Sequence, residues 1–413
     1  MASACEPQSI HYRRLLAAGL FLLLLVLIVG IALTASVPPV SRDALTHHLA
    51  IPKLYLKHGG MVELPDIPFS YYPMNLDLLY WAALAFGNDI VPKYIHLVFG
   101  LLTAGLIYIY LKRCIGQVFG VLGALTWMST PIVARLASEV YVDLGVAFFG
   151  LASIYMLIRW IEEGFRYRYL VVSGIFCGLG LGTKYNALIM LAILALMVPF
   201  LRSRLSGEKG RESLKPVFMS ATCFLVVSLA VFSPWMIKNW ILKQNPIYPM
   251  LEQVFNDGGK NSEEWSRTST MVQDTSGTMA VRHQVYGEPL WYIMLAPLRV
   301  FIEGQDDSPR HFDGKLNPFY LVFAVLGFLP LGAMSSQLQM EQRIWGWFAL
   351  LFIIMAFLTA PIRIRYIAPV LPAVVVLTMI GICRFWSFSR PMKPILWKGG
   401  LHTVLIITVV GMV

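Results

Sequence analysis

Charged residues are scarce in this sequence. Asp, Glu, Lys and Arg make up only 14% of the 413 residues, whereas 57% are hydrophobic. Soluble globular domains carry roughly 25% charged residues, so this composition excludes a soluble globular protein. Cysteine is scarce as well, and the spacings of the five cysteines match no zinc or redox motif; they are Cys5, Cys114, Cys177, Cys223 and Cys383.

Long apolar segments take the place of the missing charge. A bilayer core about 30 Å thick needs roughly 20 apolar residues per helix. Eleven segments qualify approximately: 15–36, 91–111, 116–133, 141–160, 170–182, 187–201, 217–235, 318–334, 344–360, 366–385 and 400–413. We therefore predict an all-α integral membrane protein, one polytopic domain over residues 1–413 with about eleven transmembrane helices. Because ten spans follow the first, we interpret the first as an anchor and not as a cleaved signal peptide.

Basic residues are distributed unevenly between the two sides of these spans. With the N-terminus in the cytoplasm, the cytoplasmic segments hold about half of the 33 Lys and Arg residues but only about a quarter of the 23 acidic residues. The positive-inside rule favours this orientation. The net charge of +10 then sets topology, and no nucleic-acid partner is expected.

Two long segments, 37–90 and 236–317, lie on the outer side in this topology. Long connecting segments tend to carry function. In the first, residues 42–58 predict a helix that starts near Ser41 and is kinked at Pro52. Residues 76–86 are too short to cross, so we predict an interfacial helix with Tyr80 and Trp81 at headgroup level. Residues 290–301 are interpreted as interfacial too.

An acidic residue, Asp43, stands just beyond the outer end of the first span. Partial desolvation there is expected to raise its pKa and to suit the carboxylate to accept a proton. An alternative is a helix-terminal charge that interacts with the helix dipole. His47 lies at i+4, with His48 beside it and Lys53 further on. Asp43 and His47 leave a bound divalent cation open as a cofactor.

A second acidic pair, Glu139 and Asp143, lies where the fourth span begins on the outer side. Ionisable groups at membrane depth indicate function. The structural alternative is an ion pair with Arg135.

Basic and aromatic residues gather at the outer ends of two other spans. They are Lys184, Arg363, Arg365 and Tyr366. Snorkelling anchors explain most residues of this kind. Positive charge on the outer side nevertheless opposes the positive-inside trend, and a lipid phosphate at that level would need such partners.

Several of these motifs together resemble the GT-C superfamily of integral membrane glycosyltransferases, particularly the bacterial branch of protein O-mannosyltransferases and lipid A aminoarabinose transferases. The motifs are SRDALTHHLAIPKLYLKHG, FSYYPMNLDLLYW, residues 131–143, GLGLGTKYNAL, SPWMIKNWILKQNPIYP and RIRYIAPVLP. Each motif alone is loose, but their order and their placement on one membrane face are more specific.

The resemblance implies a GT-C-like fold and a multi-pass protein of the bacterial inner membrane, with its site facing the periplasm. It implies sugar transfer from a polyprenyl-phosphate donor to an acceptor hydroxyl on a lipid, glycan or protein, among membrane lipids. Asp43 would be the base, assisted by Asp143 or Glu139, and Lys184 and Arg365 would hold the donor phosphate. Further substrate contacts are expected from His47, His48, Lys53, Tyr71, Tyr72, Asn239, Arg363 and Tyr366.

One departure bears on the acceptor. Protein mannosyltransferases typically carry adjacent acids in the first outer loop, whereas Ala44 follows Asp43 here. This difference weakens the case for a protein hydroxyl as the acceptor. Two alternatives stay open. An O-antigen ligase or polymerase would depend on the second outer segment. A lipid or solute transporter would show charges in mid-span and repeated halves, which are not evident in the sequence.

Overall fold

Helices form most of the part of the chain that the structure describes. The structure is a computed structural model that describes residues 10–206, 214–255, 278–329, 334–359 and 362–389. Within these ranges the chain is helical and contains no strand. The predicted all-α membrane class is therefore confirmed.

Ten helices are described up to Lys243, and the last of them extends into the predicted second outer segment. They are α1 (Ile10–Ala35), α2 (Ala50–Lys57), α3 (Asn75–Ala85), α4 (Val91–Ile115), α5 (Gln117–Ser129), α6 (Pro131–Ala137), α7 (Asp143–Glu162), α8 (Tyr167–Leu181), α9 (Ala187–Leu205) and α10 (Leu214–Lys243).

The remaining helices are shorter on average. They are α11 (Glu252–Phe255), α12 (Thr278–Ala280, continued as a π-helix over Val281–Val285), α13 (Leu290–Met294), α14 (Ala296–Arg299), α15 (Phe319–Leu326), α16 (Ser336–Thr359) and α17 (Leu371–Ser389). A 3-10 turn over Ile364–Val370 leads directly into α17.

Seven of the described helical segments are long and apolar enough to cross a membrane. An eighth candidate is the pair α5 and α6, which bends by 70° at Thr130. Thr130 leaves the helical conformation there (φ −59°, ψ 122°), which is common for a residue before proline because the ring of Pro131 disfavours the helical conformation at Thr130. The protein is thus a multi-pass membrane protein.

The expected number of eleven spans is not confirmed. Helix α8 has only 15 residues, and the predicted span 318–334 contains α15, which has eight. The predicted span 400–413 lies outside the described residues. Helices α13 and α14 are each too short to cross, which agrees with the interfacial interpretation of residues 290–301.

One expectation for the first outer segment is wrong. The helical run breaks at Leu49, between a π-helical turn (Ala44–His48) and α2, and not at Pro52. Pro52 lies in the first turn of α2, where the missing backbone N–H has no helical acceptor anyway. Tyr80, expected at headgroup level, is fully buried within the protein, and its hydroxyl donates a hydrogen bond to the Tyr141 carbonyl.

Ion pairs at one end of the bundle join three long helices. Arg113, near the end of α4, contacts Glu162 at the end of α7 (2.6 Å) and Glu341 near the start of α16 (3.2 Å). This end is opposite to the starts of α4 and α7. The residues singled out in the sequence lie at the other end.

Candidate functional site

Asp43 contacts a basic residue from the far end of the chain. It caps the π-helical turn, in which the Leu49 N–H donates to the Ala44 carbonyl over 2.9 Å. Its Oδ2 accepts a hydrogen bond from Nη1 of Arg365 at 2.5 Å. The two side chains are 24% and 16% exposed, respectively. π-Helical turns are frequent at functional sites, and this one brings the carboxylate to the start of the last described helical segment.

This ion pair changes the proton affinity of Asp43. Burial alone would raise its pKa, but the charge of Arg365 and the hydrogen bond that Arg365 donates outweigh burial and hold the pKa below its usual value. The expected raised pKa of Asp43 is therefore wrong. Asp43 is ionised near neutral pH, but it is a weak base while Arg365 is attached.

Asp143 forms a second ion pair nearby. It is the first residue of α7 and is fully buried. Its Oδ1 accepts a hydrogen bond from Nζ of Lys184 at 2.7 Å, and the lysine side chain is 24% exposed. Lys184 follows α8 and precedes α9, so this pair joins the start of α7 to the connection between α8 and α9. A buried carboxylate needs such a partner because an unpaired charge is costly to bury.

One tyrosine ring connects the two ion pairs. The centroid of the Tyr366 ring lies 5.2 Å from Cζ of Arg365 and 5.6 Å from Nζ of Lys184. Arg363 approaches the same ring to 5.8 Å and also lies 3.8 Å from Asp313. Tyr141 adds a second ring, 5.5 Å from Cζ of Arg365. The structure therefore gathers acids, cations and aromatic rings into one cluster.

Glu139 does not share a partner with Asp143. Its Oε2 lies 3.9 Å from Nζ of Lys93, and neither of these buried atoms has a hydrogen-bond partner among the described residues. Arg135, expected as a structural partner for the two acids, instead pairs with Asp307 at 2.7 Å. That ion-pair alternative is wrong.

His96 fixes the start of α7. Its Nδ1 donates to the carbonyls of Leu136 (2.8 Å) and Glu139 (3.1 Å), and its Nε2 accepts from the Leu144 N–H (3.0 Å). One nitrogen must carry the proton and the other must lack it, so this geometry selects the neutral imidazole. His96 thereby positions the first turn of α7, which carries Asp143.

The two histidines that follow Asp43 have different surroundings. His47 stacks on Phe69 with ring centroids 4.4 Å apart, and burial, together with His48, lowers the pKa of His47 to about 2. His47 is therefore neutral and adds no positive charge beside Asp43. His48 is held by buried Asp77, whose Oδ1 lies 2.7 Å from His48 Nδ1. This pair links the π-helical turn to α3.

No group of three or more His, Cys, Asp or Glu side chains within the described ranges could hold a metal ion. Asp43 and His47, the suggested ligands of a divalent cation, thus find no third protein ligand there. Asp43 is engaged by Arg365.

Tyrosines line the approach from the first outer segment. The ring of Tyr72 packs on Tyr185 (5.3 Å), and burial, with smaller contributions from Tyr366 and Tyr248, raises the pKa of Tyr72 to about 12. Tyr71 faces another way: its hydroxyl donates to Glu63 at 2.6 Å.

Two other predicted substrate contacts lie apart from the cluster. Asn239 is fully buried, and its amide donates to the Tyr71 carbonyl at 2.9 Å and to the Tyr185 hydroxyl at 3.1 Å. It therefore joins chain segments. Lys53 is half-exposed and pairs with Asp89 at 3.5 Å.

An apolar cavity of about 440 Å³ adjoins the tyrosines, between α10 and the first outer segment. Lys238 lies at the wall of this cavity, and its ammonium group donates a hydrogen bond to the Ser70 carbonyl at 2.5 Å. The cavity is lined by Tyr55, Met61, Val62, Glu63, Leu78, Pro234, Trp235, Lys238, Ile241 and Leu242.

Sequence reasoning missed four residues of this region: Asp77, Lys93, His96 and Lys238. Each is an ionisable residue within an otherwise apolar helix. That pattern was available in the sequence, and it indicates a buried partner or a functional group.

One protein family and several solved structures resemble this chain. The sequence model of the dolichyl-phosphate-mannose-protein mannosyltransferase family matches residues 78–238, less than half of the chain. No curated protein sequence matches the chain.

Solved structures share the helical arrangement over nearly the whole chain. ArnT from Cupriavidus metallidurans in the apo state superimposes with a TM-score of 0.57 at 15% identity over 95% of this chain, and ArnT bound to undecaprenyl phosphate with 0.58 at 15% over 94%. The archaeal oligosaccharyltransferase AglB from Archaeoglobus fulgidus, in complex with an inhibitory peptide and a dolichol-phosphate, gives 0.53 at 13% over 94%. This chain has the GT-C fold.

The resemblance to the GT-C superfamily is thereby confirmed at the level of the fold. The chain covers 63% of the length of the ArnT chains and 54% of AglB. At these identities the GT-C fold alone is shared, and the roles of individual residues stay predictions.

Proposed function

We propose that this protein transfers a sugar from a polyprenyl-phosphate donor to an acceptor hydroxyl at the outer face of the membrane. The observation that carries the proposal is the cluster in which Asp43 with Arg365, and Asp143 with Lys184, meet around the Tyr366 ring. A phosphate needs cations, and an acceptor hydroxyl needs a base. Both lie here within one group of contacts.

The reaction requires one bond exchange and one proton transfer. The acceptor oxygen forms a bond to the anomeric carbon while the bond from that carbon to the phosphate oxygen breaks, and the hydroxyl proton passes to Asp43. Glycosidases need a second carboxyl group to protonate a leaving alcohol. A polyprenyl phosphate leaves as a stable anion, so one base and nearby positive charge suffice.

The residues divide between these tasks. Arg365 can offer a planar fork of N–H groups to phosphate oxygens, and Lys184 a point charge. Asp143, in this proposal, keeps Lys184 in place. Tyr72 and Tyr366 provide ring faces beside the sugar. Asp43 is the proton acceptor.

The apolar cavity between α10 and the first outer segment suits the beginning of an isoprenoid chain. Its lining is mostly hydrophobic, and the ammonium of Lys238 lies at its wall. Apolar pockets with few polar groups are typical binding sites for ligands of this kind. The rest of such a chain would extend into the surrounding lipid.

We place the protein in the bacterial inner membrane with residues 37–90 and 236–317 in the periplasm. Charge asymmetry of the sequence supports this orientation. The acceptor is a lipid or glycan in preference to a protein, because Ala44 replaces the second acid expected after Asp43.

The proposal is tested with the purified full chain in lipid nanodiscs. Polyprenyl phosphate is expected to bind to the wild type, and Arg365→Ala and Lys184→Ala are each expected to weaken binding about tenfold or more, because each removes a cation that would contact the phosphate. Unchanged affinity in both variants would show that the phosphate binds elsewhere.

The sugar and the acceptor are found by mass spectrometry. Lipid and glycan extracts of a strain lacking the gene should accumulate one polyprenyl-phosphate sugar and lose one modified lipid or glycan. If no sugar-linked lipid accumulates and no glycan changes, the transferase proposal is wrong.

A further inference from the structure

The two cations expected to bind the donor phosphate are each paired with a carboxylate. Arg365 is bound by Asp43 and Lys184 by Asp143. With neutral His47, these two acids and two bases balance in charge. The third cation around the Tyr366 ring, Arg363, also lies near a carboxylate, that of Asp313 at 3.8 Å. A donor phosphate can therefore bind Arg365 or Lys184 fully only if one carboxylate gives way.

The two ion pairs differ in how easily they open. Asp143 is fully buried at the start of a 20-residue helix, where an unpaired carboxylate would carry a large desolvation penalty. The side chain of Asp43 is 24% exposed, and it makes no hydrogen bond to the turn that it caps. Asp43 can therefore leave its partner for solvent at much lower cost.

Arg365 retains hydrogen-bonding capacity that Asp43 does not use. Its Nη1 binds Asp43, whereas its Nε is buried and has no hydrogen-bond partner among the described residues. A guanidinium can engage a phosphate through two parallel N–H groups, which one carboxylate oxygen does not match. A phosphate can therefore form more hydrogen bonds with Arg365 than Asp43 does.

We propose that the donor phosphate displaces Asp43 from Arg365, so that Asp43 is released to act as the base only when the donor is bound. This inference rests on the proposed function. Asp43 and the phosphate compete for Arg365. While Asp43 is paired with Arg365 it is a weak base, so the acceptor is not activated before a donor has bound. Transfer is then ordered, with the donor binding before the acceptor loses its proton.

The decisive variant is Asp43→Asn, which removes the competing charge. If Asp43 were a base alone, this change would leave donor affinity as it is. Under the displacement mechanism, Asp43→Asn binds polyprenyl phosphate roughly fivefold to tenfold more tightly than the wild type while transfer is lost. Asp43→Ser, which also lacks the charge, is expected to show the same tightening and serves as the second uncharged variant.

Two matched controls isolate the competition. Asp43→Glu retains the charge and is expected to bind polyprenyl phosphate as the wild type does. Asp307→Asn also removes one carboxylate from an arginine on the outer side, the one paired with Arg135, and is expected to leave the affinity unchanged. Titrations of all variants in nanodiscs by microscale thermophoresis, with thermal unfolding to verify folding, provide the comparison.

The outcomes separate the inference from the proposed function. Tighter binding by the two uncharged variants, with both controls at wild-type affinity, supports displacement. Equal or weaker binding by folded Asp43→Asn and Asp43→Ser overturns it and leaves the proposed donor intact. If the wild type and every variant fail to bind polyprenyl phosphate, the proposed function fails, and the inference fails with it.

Discussion

At the scale of single residues, the two partners of the Asp143–Lys184 ion pair differ in burial and therefore in how much each depends on the other. Asp143 is wholly buried and depends on Lys184, whereas Lys184 retains some access to solvent. Loss of the lysine therefore leaves an uncompensated buried charge, and loss of the aspartate leaves a lysine that can still reach water. The first change is the more damaging to folding.

Lys184→Met tests this asymmetry. We expect the variant to lose about 3 kcal/mol of stability because the Asp143 carboxylate is left unpaired. Asp143→Asn should lose less, and the double variant should recover most of the loss. Thermal unfolding in detergent measures all three. A double variant that is as unstable as Lys184→Met alone would show that the ion pair is not the cause.

His96 is predicted to act through the start of α7. His96→Leu removes two donated hydrogen bonds and one accepted bond, all buried, and should cost about 2 kcal/mol. Turnover should fall as well, because Asp143 begins the same turn. His96→Gln, which can both donate and accept, is expected to recover part of both losses. Stability and turnover of the two variants check this, and wild-type turnover in His96→Leu would contradict the positioning role.

The sequence indicated the ionisable residues of the cluster but not their partners. Asp43 stands out because a carboxylate follows the first apolar run. Its partner Arg365 lies 322 residues away, and local spacing carries no information about such a contact. The error in the expected pKa follows from this, because burial was foreseeable and the guanidinium was not.

At the scale of helices, α3 meets the end of α8 through a contact that only glycine allows. A Cβ on Gly182 would lie 2.2 Å from Nδ2 of Asn75. The Asn75 side chain cannot easily move, because it donates to the Leu179 carbonyl and accepts from the Trp235 indole. This junction fixes the end of α8 two residues before Lys184.

Gly182→Ala should separate the two helices. The methyl group would break the two side-chain hydrogen bonds of Asn75, at a cost of about 2 kcal/mol, and turnover should fall roughly tenfold through misplacement of Lys184. The matched control is Gly105→Ala in α4, where nothing lies within 4 Å of an added Cβ, and which should be neutral. Equal stability and turnover in the two variants would contradict the role of the junction.

In the second outer segment, one carboxylate forms ion pairs with two arginines. Buried Glu288 binds Arg282 at 2.7 Å and Arg299 at 3.1 Å. Burial alone would raise the pKa of Glu288, but the two guanidinium groups outweigh it and hold the pKa below its usual value. A depressed folded-state pKa means that the stabilisation is present above the unfolded pKa and is lost as pH falls through the folded one.

Acidification should therefore loosen residues 281–303. We expect their hydrogen exchange, corrected for intrinsic rates, to increase as pH falls below about 4.3, the ordinary value for a glutamate. Glu288→Gln should exchange faster already at pH 7 and respond less to acid. Asp307→Asn, on the same outer segment but exposed, serves as the control. Equal protection in Glu288→Gln and the wild type at pH 7 would contradict this account.

Long helices could be predicted from apolar runs, but breaks within them could not. The run 116–133 predicted one straight span, and the structure bends it by 70° at Thr130. Pro131 marks that position in the sequence, but a proline also lies inside α10 at Pro234 without ending the helix. Packing against neighbouring helices decides between these outcomes.

At the scale of the whole molecule, the acids and bases of the proposed site share one end of the bundle, and the Arg113, Glu162 and Glu341 cluster occupies the other. The charge distribution of the sequence predicts that the first end faces outward. The orientation could be predicted from the sequence alone. The convergence of the four segments that carry Asp43, Asp143, Lys184 and Arg365 could be seen only in the folded chain.

Cysteine labelling tests the orientation. In a background without native cysteines, Lys53→Cys should react with a membrane-impermeant maleimide in intact spheroplasts, since Lys53 is half-exposed on the proposed outer side. Arg204→Cys, at the far end of α9, should react only after permeabilisation. The reverse pattern would place the site in the cytoplasm and contradict a periplasmic reaction.

The most direct test of the central claim is single-turnover sugar transfer by Asp43→Asn, once the donor is identified, with donor-lipid binding measured on the same preparation. The account predicts that donor binding persists while transfer falls by a factor of about 1,000 or more, because the proton acceptor is gone. Transfer at the wild-type rate by a folded, donor-bound Asp43→Asn variant would contradict it.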